Sequence, residues 1–297
     1  MVIISGLSNP SLCKRIAKKG HLVQVPVEIS KFPNGEKRIY VTKPLWNKDA
    51  IIVQSLSFPT DENIIELLLL IDAVKRVGAK TVNLFIPWFG YALQDRLYRF
   101  GEPISAKVVA NILSNSGCDK IFLMDVHNES IIGYFSVPTY HLTSTGLFVS
   151  YIKRFLKKKN TVLAYPDIGA LKRSQLLSDK LNIALIFVDK RRNRITGRVH
   201  TASLHGGAKG KNVILYDDGV ITGSTLIEAA RLLKKNGAKS INAFVTHMIL
   251  SQVPNTNTLF KLVDKLVTTN SISHQISSPK IIELDISSIF IQALKYL

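Results

Sequence analysis

The sequence predicts an α/β protein built from two similar halves, each a mostly parallel sheet flanked by helices. Short apolar runs alternate with segments whose apolar residues recur at the three- and four-residue spacing of an amphipathic helix. A repeat points the same way. Ile51–Ser55, a loop, a helix and GAKTVNLFIP line up with Val213–Asp217, a loop, a helix and GAKSINAFVT, and GCDKIFLMDV supplies a third such joint. The unit is too long for a solenoid and reads as one α/β half present twice. Strands separated by helices pair in parallel, with ligands beyond their carboxyl ends.

Met1–Gly6 is a short buried strand, and SNPSLCKRIAKKG is a helix with a turn signal at Asn9-Pro10 and Gly20 as its C-cap. LVQVPVEISKF and KRIYVTKP are the arms of a hairpin joined by the turn PNGE. Ala50–Gln54 is a strand, SLSFPTDEN a loop, and IIELLLLIDAVKRVGAK a helix ending at Gly78. TVNLFIPWFGY is a strand that leaves through Pro87 into an aromatic loop, and Ser105–Ser116 is a helix ending at Gly117. KIFLMDVHNE is a strand with a polar tip on which Asp125, His127 and Glu129 alternate.

The second half continues with helix Thr145–Lys158, strand TVLAY, loop PDIGA, helix LKRSQLLSDKL and strand IALIFVD. KRRNRITGRVHTASLHGGAKG lacks helical periodicity and reads as a long loop or β-flap, of the length that usually serves function. The last segment, SSIFIQALKYL, is an amphipathic helix able to pack back on the first domain. The expected domains are 1–146 and 147–297.

Composition narrows the classes. With 297 residues, 46% of them hydrophobic, the chain can bury proper cores and is not disordered. MVIISGLSNPS turns polar after four residues, and the longest apolar run, Ile64–Val74, is broken by Glu66 and Asp72. A soluble cytoplasmic protein with no membrane partner is therefore expected. Cys13 and Cys118 form no metal-ligand spacing. The net charge of +18, from 39 basic and 21 acidic residues, suits an anionic partner. Charge by itself does not separate a nucleotide or phosphosugar from nucleic acid, but no nucleic-acid-binding motif accompanies it.

The chemistry concentrates in VILYDDGVITGST and the helix after it. A buried strand ends in two carboxylates, Asp217 and Asp218, and a loop of small and hydroxyl residues follows, with Thr222, Gly223, Ser224 and Thr225. Small residues let backbone N–H groups approach an anion, and the helix start adds partial positive charge. Carboxylates suit sugar hydroxyls or the waters of a cation. Together these groups fit a phosphorylated sugar. The competing reading is a helix capped by Ser or Thr after a strand. Further strand-end candidates are FPNGE (Phe32–Glu36), WFGYALQDR (Trp88–Arg96), MDVHNE and PDIGALKR, the last with Asp167 and then Lys172 and Arg173 at a helix start.

In this order the motifs resemble the ribose-phosphate diphosphokinases, the phosphoribosyl pyrophosphate (PRPP) synthetases, from SGLSNPSL to LVTTNSI. GEPISAKVVANIL and GYFSVPTYHL look like that family too, whereas YDDGVITGST occurs also in phosphoribosyltransferases. The resemblance implies two phosphoribosyltransferase-like domains and transfer of the diphosphoryl group of ATP to the C1 hydroxyl of ribose 5-phosphate, with Mg²⁺. It implies that Phe32, Asn34 and Glu36 line the adenine pocket, partly across a subunit boundary, and that Gln94, Asp95 and Arg96 serve the nucleotide. Asp217, Asp218, Ile221, Thr222, Gly223, Ser224 and Thr225 would hold ribose 5-phosphate, His127 and Asp167 the metal. Lys190 and Arg192 match the catalytic-loop cations, able to meet charge developing on the transferred group. A homo-oligomer with the dimer as its minimal unit is implied as well.

Leu93 stands in YALQDR where the family usually has an arginine near the ATP phosphates. Gly219 and Ser224 are milder departures, and THMILSQ lacks a glycine that usually follows the histidine. Leu93 gives some support to a second reading, a catalytically weak or inactive regulatory subunit. Retention of Lys190, Arg192, His127, Asp167, Asp217 and Asp218 argues against it. A plain phosphoribosyltransferase would leave the first 150 residues without a purpose.

Overall fold

The computed structural model describes residues 1–155, 160–166, 168–192, 199–250 and 253–297; at 155, 168, 189–192, 199–202 and 253–254 it describes the backbone alone. The chain divides into two compact units, one of Met1–Thr143, Ser271–Ser273 and Asp285–Leu297, the other of Ser144–Asn270 and His274–Leu284.

The first unit runs β1 (Val2–Ser5), α1 (Pro10–Gly20), β2 (Val23–Gln24), β3 (Val27–Lys31), β4 (Lys37–Val41), β5 (Asp49–Val53), α2 (Thr60–Arg76), β6 (Thr81–Ile86), α3 (Ser105–Ser114), β7 (Lys120–Met124) and β8 (Thr139–Leu142). Its sheet has the order β2-β1-β5-β6-β7-β8, and every pairing is parallel. The second unit runs α4 (Thr145–Phe155), β9 (Thr161–Tyr165), α5 (Leu171–Leu181), β10 (Ala184–Arg192), β11 (Val199–His205), β12 (Asn212–Val220), α6 (Ser224–Lys235), β13 (Ser240–Met248), α7 (Val253–Leu262), β14 (Lys265–Thr269) and β15 (Ile281–Leu284). Its order is β11-β10-β9-β12-β13-β14-β15, parallel except for β10 with β11.

Without β11, the two sheets share one topology: β2-β1-β5-β6-β7-β8 corresponds to β10-β9-β12-β13-β14-β15. The duplicated half is thus real at the level of strand order. Each sheet reverses its winding once, between β1 and β5 in the first and between β9 and β12 in the second. Those switch points are where an open α/β sheet accepts a ligand.

Local sequence explains most boundaries. Asn9 caps α1 by accepting from the Leu12 N–H at 3.2 Å, and Pro10 sits in the first turn, where no backbone N–H is needed. The first turn of α2 carries Asp61 and Glu62 and its last turn Lys75 and Arg76, each opposing the local end of the helix dipole. The C-terminal helix α8 (Ser287–Ala293) belongs to the first unit, where Phe290 stacks on Phe85 with centroids 4.8 Å apart and Lys19 pairs with Asp285 at 2.7 Å. Cys13 and Cys118 are both buried, and burial pushes the Cys13 thiol up to about 12, so neither is a nucleophile.

Several expectations need correction. Gly20 is the last residue of α1, and His21 takes the left-handed conformation (φ 50°), allowing Leu22 to donate back to the Ala17 carbonyl at 2.9 Å. LVQVPVEISKF is two strands, because the chain turns at Val25-Pro26: β2 joins the main sheet and β3 pairs only with β4. FPNGE therefore lies at the tip of a separate two-stranded sheet, with no strand pairing to the parallel one. Asp125, His127 and Glu129 do not alternate along a strand. Strand β7 stops at Met124, Asp125 takes φ 37°, and Glu129 opens a 3-10 turn that runs to Tyr134. Asp217 and Asp218 lie within β12, which continues to Val220, rather than beyond its tip. Of the alternatives left for the basic stretch, the flap forms: β10 runs on to Arg192 and pairs antiparallel with β11.

Candidate active site

In the second unit, β12 stays hydrogen-bonded to β13 through Val220, so Asp217 and Asp218 are held by the sheet itself. They are 8% and 7% exposed. Two adjacent carboxylates so poorly solvated need a compensating cation. Arg173, from the first turn of α5, supplies it: its Nη1 lies 3.0 Å from Asp218 Oδ1, and its side chain is 21% exposed. The Asp218 N–H donates to Asp217 Oδ1 at 2.9 Å, which fixes the neighbouring carboxylate.

The loop after β12 is pinned from both ends. The Val220 carbonyl accepts from the Ile249 and Leu250 N–H groups, and the Thr222 carbonyl from Asn255 Nδ2 at 2.8 Å. Gly223 takes φ 78°, a value at which an L side chain is strained, and stands at the N-cap of α6. The N-cap position is thus a glycine rather than the Ser or Thr of the competing reading, and the Thr222 hydroxyl, one residue earlier, accepts from the Ser224 N–H at 3.4 Å. The Thr222 and Ser224 hydroxyls lie 3.0 Å apart beside the helix start. Backbone donors with helix-end charge, two hydroxyls and a nearby carboxylate pair form a surface for an anion linked to hydroxyl groups.

In the first unit, the turn of the β3–β4 hairpin is built on Gly35 (φ 91°), whose N–H donates to the Phe32 carbonyl at 2.9 Å. Asn34 Oδ1 accepts from the Glu36 N–H at 3.2 Å. Phe32 is 47% exposed, with the Arg38 guanidinium 5.9 Å from its ring centroid. An exposed aromatic face beside an amide and a carboxylate suits a planar heterocycle. The aromatic loop and the tip after β7 come together through Asp95, which is 3% exposed. Its Oδ2 accepts from Asn128 Nδ2 at 2.6 Å, and its backbone carbonyl accepts from the Tyr134 hydroxyl at 2.6 Å. Gln94 accepts from the Ser105 hydroxyl at the start of α3. Arg96 is exposed over the Tyr98 ring, and Leu93 is 46% exposed. His127, half-buried, adjoins Asn128 in this assembly.

Lys190 and Arg192 lie on β10, where Lys190 opposes Ala202 and Arg192 opposes Val199, with a register shift between Arg191 and Arg192. Strand β10 pairs with β9 only through Phe187, so both positions sit on a two-stranded ribbon beyond the parallel sheet. Asp167 lies outside the described residues. Among the described residues, no three His, Cys, Asp or Glu side chains cluster to hold a metal. Sequence reasoning flagged Arg173 only as a cation at a helix start; its pairing with Asp218 needs the neighbourhood of β9 and β12. The anchoring roles of Asn128, Tyr134 and Asn255 carried no sequence signal.

The two units thus define an α/β protein of phosphoribosyltransferase type, with a nucleotide-suited first half and a phosphosugar-suited second. Family models agree. The N-terminal domain of ribose phosphate pyrophosphokinase matches residues 1–117, and the phosphoribosyl transferase domain matches 142–279. The ribose-phosphate pyrophosphokinase of Helicobacter hepaticus is 35% identical over 293 residues, spanning 99% of this chain and 94% of that one. That of Fusobacterium nucleatum is 37% identical over 298 residues, spanning 98% and 93%. The crystal structure of phosphoribosylpyrophosphate synthetase from Mycobacterium smegmatis superposes with a TM-score of 0.92 at 30% identity, covering 99% of this chain and 97% of that one. The chain belongs to the ribose-phosphate pyrophosphokinase family. No described helix is long and apolar enough to cross a membrane.

Proposed function

We propose that this protein transfers the diphosphoryl group of ATP to the C1 hydroxyl of ribose 5-phosphate, giving PRPP and AMP. The joint between β12 and α6 carries this reading: two buried carboxylates with Arg173 on Asp218, beside the Thr222 and Ser224 hydroxyls and a helix start led by Gly223. Thr222 to Thr225 hold the 5-phosphate, with Ile221 leading into the loop, and Asp217 and Asp218 face the ribose hydroxyls. Phe32, Asn34 and Glu36 take the adenine. Gln94, Asp95 and Arg96 shape the rest of the nucleotide site, Asp95 chiefly by fixing the loop that carries the others. Lys190 and Arg192 meet the charge on the group in flight.

Mg²⁺ is the metal we assign to His127 and Asp167. The Asp167 carboxylate together with the phosphate oxygens of the nucleotide would suit it, and it would neutralise charge on the triphosphate. The half-buried imidazole of His127 would act through a bound water. A homo-oligomer, with the dimer as minimal unit, completes the proposal.

Incubation with ATP, ribose 5-phosphate and Mg²⁺ is expected to release AMP and PRPP in equal amounts. Folded protein that yields neither, across a range of Mg²⁺ and phosphate concentrations, would overturn the assignment. Leu93 offers a finer test. It is exposed, so an arginine there disturbs no core. Leu93→Arg is expected to lower KM for ATP by about threefold to tenfold, the scale of one added charge-assisted hydrogen bond. An unchanged ATP dependence would mean that another cation already serves the phosphates.

A further inference from the structure

The two switch points, alike in topology, are filled differently. In the second unit the position beside β9 and β12 leads to a hydroxyl-bearing loop. In the first, the position between β1 and β5 is occupied by the side chain of Glu66, which is 0% exposed. Its Oε1 accepts from the Leu7 N–H at 2.7 Å and from Gln54 Nε2 at 3.0 Å. Gln54 Oε1 in turn accepts from the Ser8 hydroxyl at 2.7 Å, and that hydroxyl oxygen accepts from the Ser55 N–H at 2.7 Å. A carboxylate here takes the backbone donor of the β1 loop that an anionic ligand would otherwise take. The chain makes room by having glycine at position 6, where a Cβ would stand 2.1 Å from Gln54 Oε1 and 3.0 Å from Glu66 Oε1.

The other carboxylate oxygen of Glu66 is bound by Lys37 Nζ, from the first residue of β4. The Lys37 side chain is only 9% exposed. This matters because the β3–β4 hairpin has no strand partner in the main sheet. It packs by partly buried Val27, Ile29 and Ile39, by buried Val41, and by three ion pairs to α2: Lys31–Glu62, Lys37–Glu62 at 3.9 Å and Lys37–Glu66. One of these, Lys31–Glu62, is exposed on both sides and screened by solvent. The Lys37–Glu66 pair is the buried one, and its acid is fixed in turn by the main sheet.

We propose that Glu66, acting through Lys37, is a positioning residue for the nucleotide. It fixes the hairpin that presents Phe32, Asn34 and Glu36, and so sets affinity for ATP without touching it. The inference rests on the nucleotide reading of the hairpin given above. It makes the first switch point an internal anchor, a charged side chain serving there in place of a ligand. Substrate specificity then divides between two copies of one fold: one site is closed by its own acid and redirected to hold a nucleotide arm.

Glu66→Gln keeps the shape and an acceptor for Leu7 while removing the nearer and buried one of the two charges on Lys37, leaving the exposed Glu62. It is expected to raise KM for ATP about fivefold to twentyfold, leaving kcat and KM for ribose 5-phosphate within about twofold. Hydrogen exchange at the hairpin amides of 27–41 should speed up by about tenfold, with α6 unchanged. Lys37→Met should do the same, the double variant should add little to either single one, and Lys37→Arg should retain ATP affinity. Lys37→Met also covers the case in which Glu66→Gln fails to fold. Unchanged hairpin exchange and unchanged KM for ATP would refute the proposal, as would equal rises in both KM values. The exchange measurement does not depend on turnover. A wild-type protein that made no PRPP would therefore sink the functional reading while the hairpin anchor was still decided.

Discussion

Replacing Lys190 with alanine is expected to lower kcat for PRPP formation by about a hundredfold or more while changing either KM by less than about threefold. In diphosphoryl transfer the oxygen bridging the α- and β-phosphorus atoms gains negative charge as it leaves, and the group in flight carries more. A cation aimed at that charge stabilises the transition state more than the bound substrates, which lowers kcat when it is removed. Lys190 lies on the β10–β11 ribbon, past the last pairing of β10 with the parallel sheet, where a strand pair can move without breaking sheet bonds. Arg192→Ala should act in the same direction. Steady-state kinetics over both substrates, with single-turnover measurement of AMP release, decides the matter. A rise in KM with kcat intact would assign Lys190 to ground-state binding instead.

Arg173→Leu is expected to cost about 3 kcal/mol of stability, because it leaves the Asp217–Asp218 pair without its cation. Both acids are under a tenth exposed, so the lost attraction is not recovered from water. The pH dependence has a definite sign. Without the guanidinium, burial and the adjacent carboxylate raise the folded pKa of Asp218 above its unfolded value. The variant should then regain stability as pH falls and protons neutralise the pair, with its deficit largest near neutrality. Asp218→Asn in the Arg173→Leu background should restore most of the loss, since the uncharged amide needs no counter-charge. Melting curves at pH 7.5 and pH 5 for the three proteins test this. A single variant that melts like the wild type at both would show that the ion pair carries no stability. The same substitution is expected to weaken ribose 5-phosphate binding, because the carboxylates lose their fixed geometry.

Much of the site was legible in the chain itself. The carboxylates of VILYDDGVITGST, its small hydroxyl loop and the helix after it follow from residue type and spacing, as does a duplicated strand–helix–strand unit. These signals are local, and the forces behind them are local as well: helical period, glycine at positive φ, and proline at a helix start. The hairpin turn at Phe32–Glu36 was legible for the same reason. Its separation from the main sheet was not, because that depends on where a chain bent at Val25-Pro26 can still find a partner strand. Asp125 misled the sequence reading, since alternation along MDVHNE is the pattern of a strand that the backbone abandons at φ 37°.

By itself the sequence determined that this protein has two α/β halves, a phosphosugar-suited loop in the second and an order of motifs that its full-length relatives share. Tertiary structure alone decided which charges meet. Arg173 reaches Asp218 because β9 lies beside β12, with the paired residues Thr161 and Asn212 51 positions apart in the chain, a neighbourhood that no rule of local spacing contains. Glu66 reaches Leu7 and Lys37 because β1, β5 and α2 converge at one end of a sheet. Strand order is set by burial of whole faces, which no short window of sequence contains, and the placement of buried charge follows from strand order.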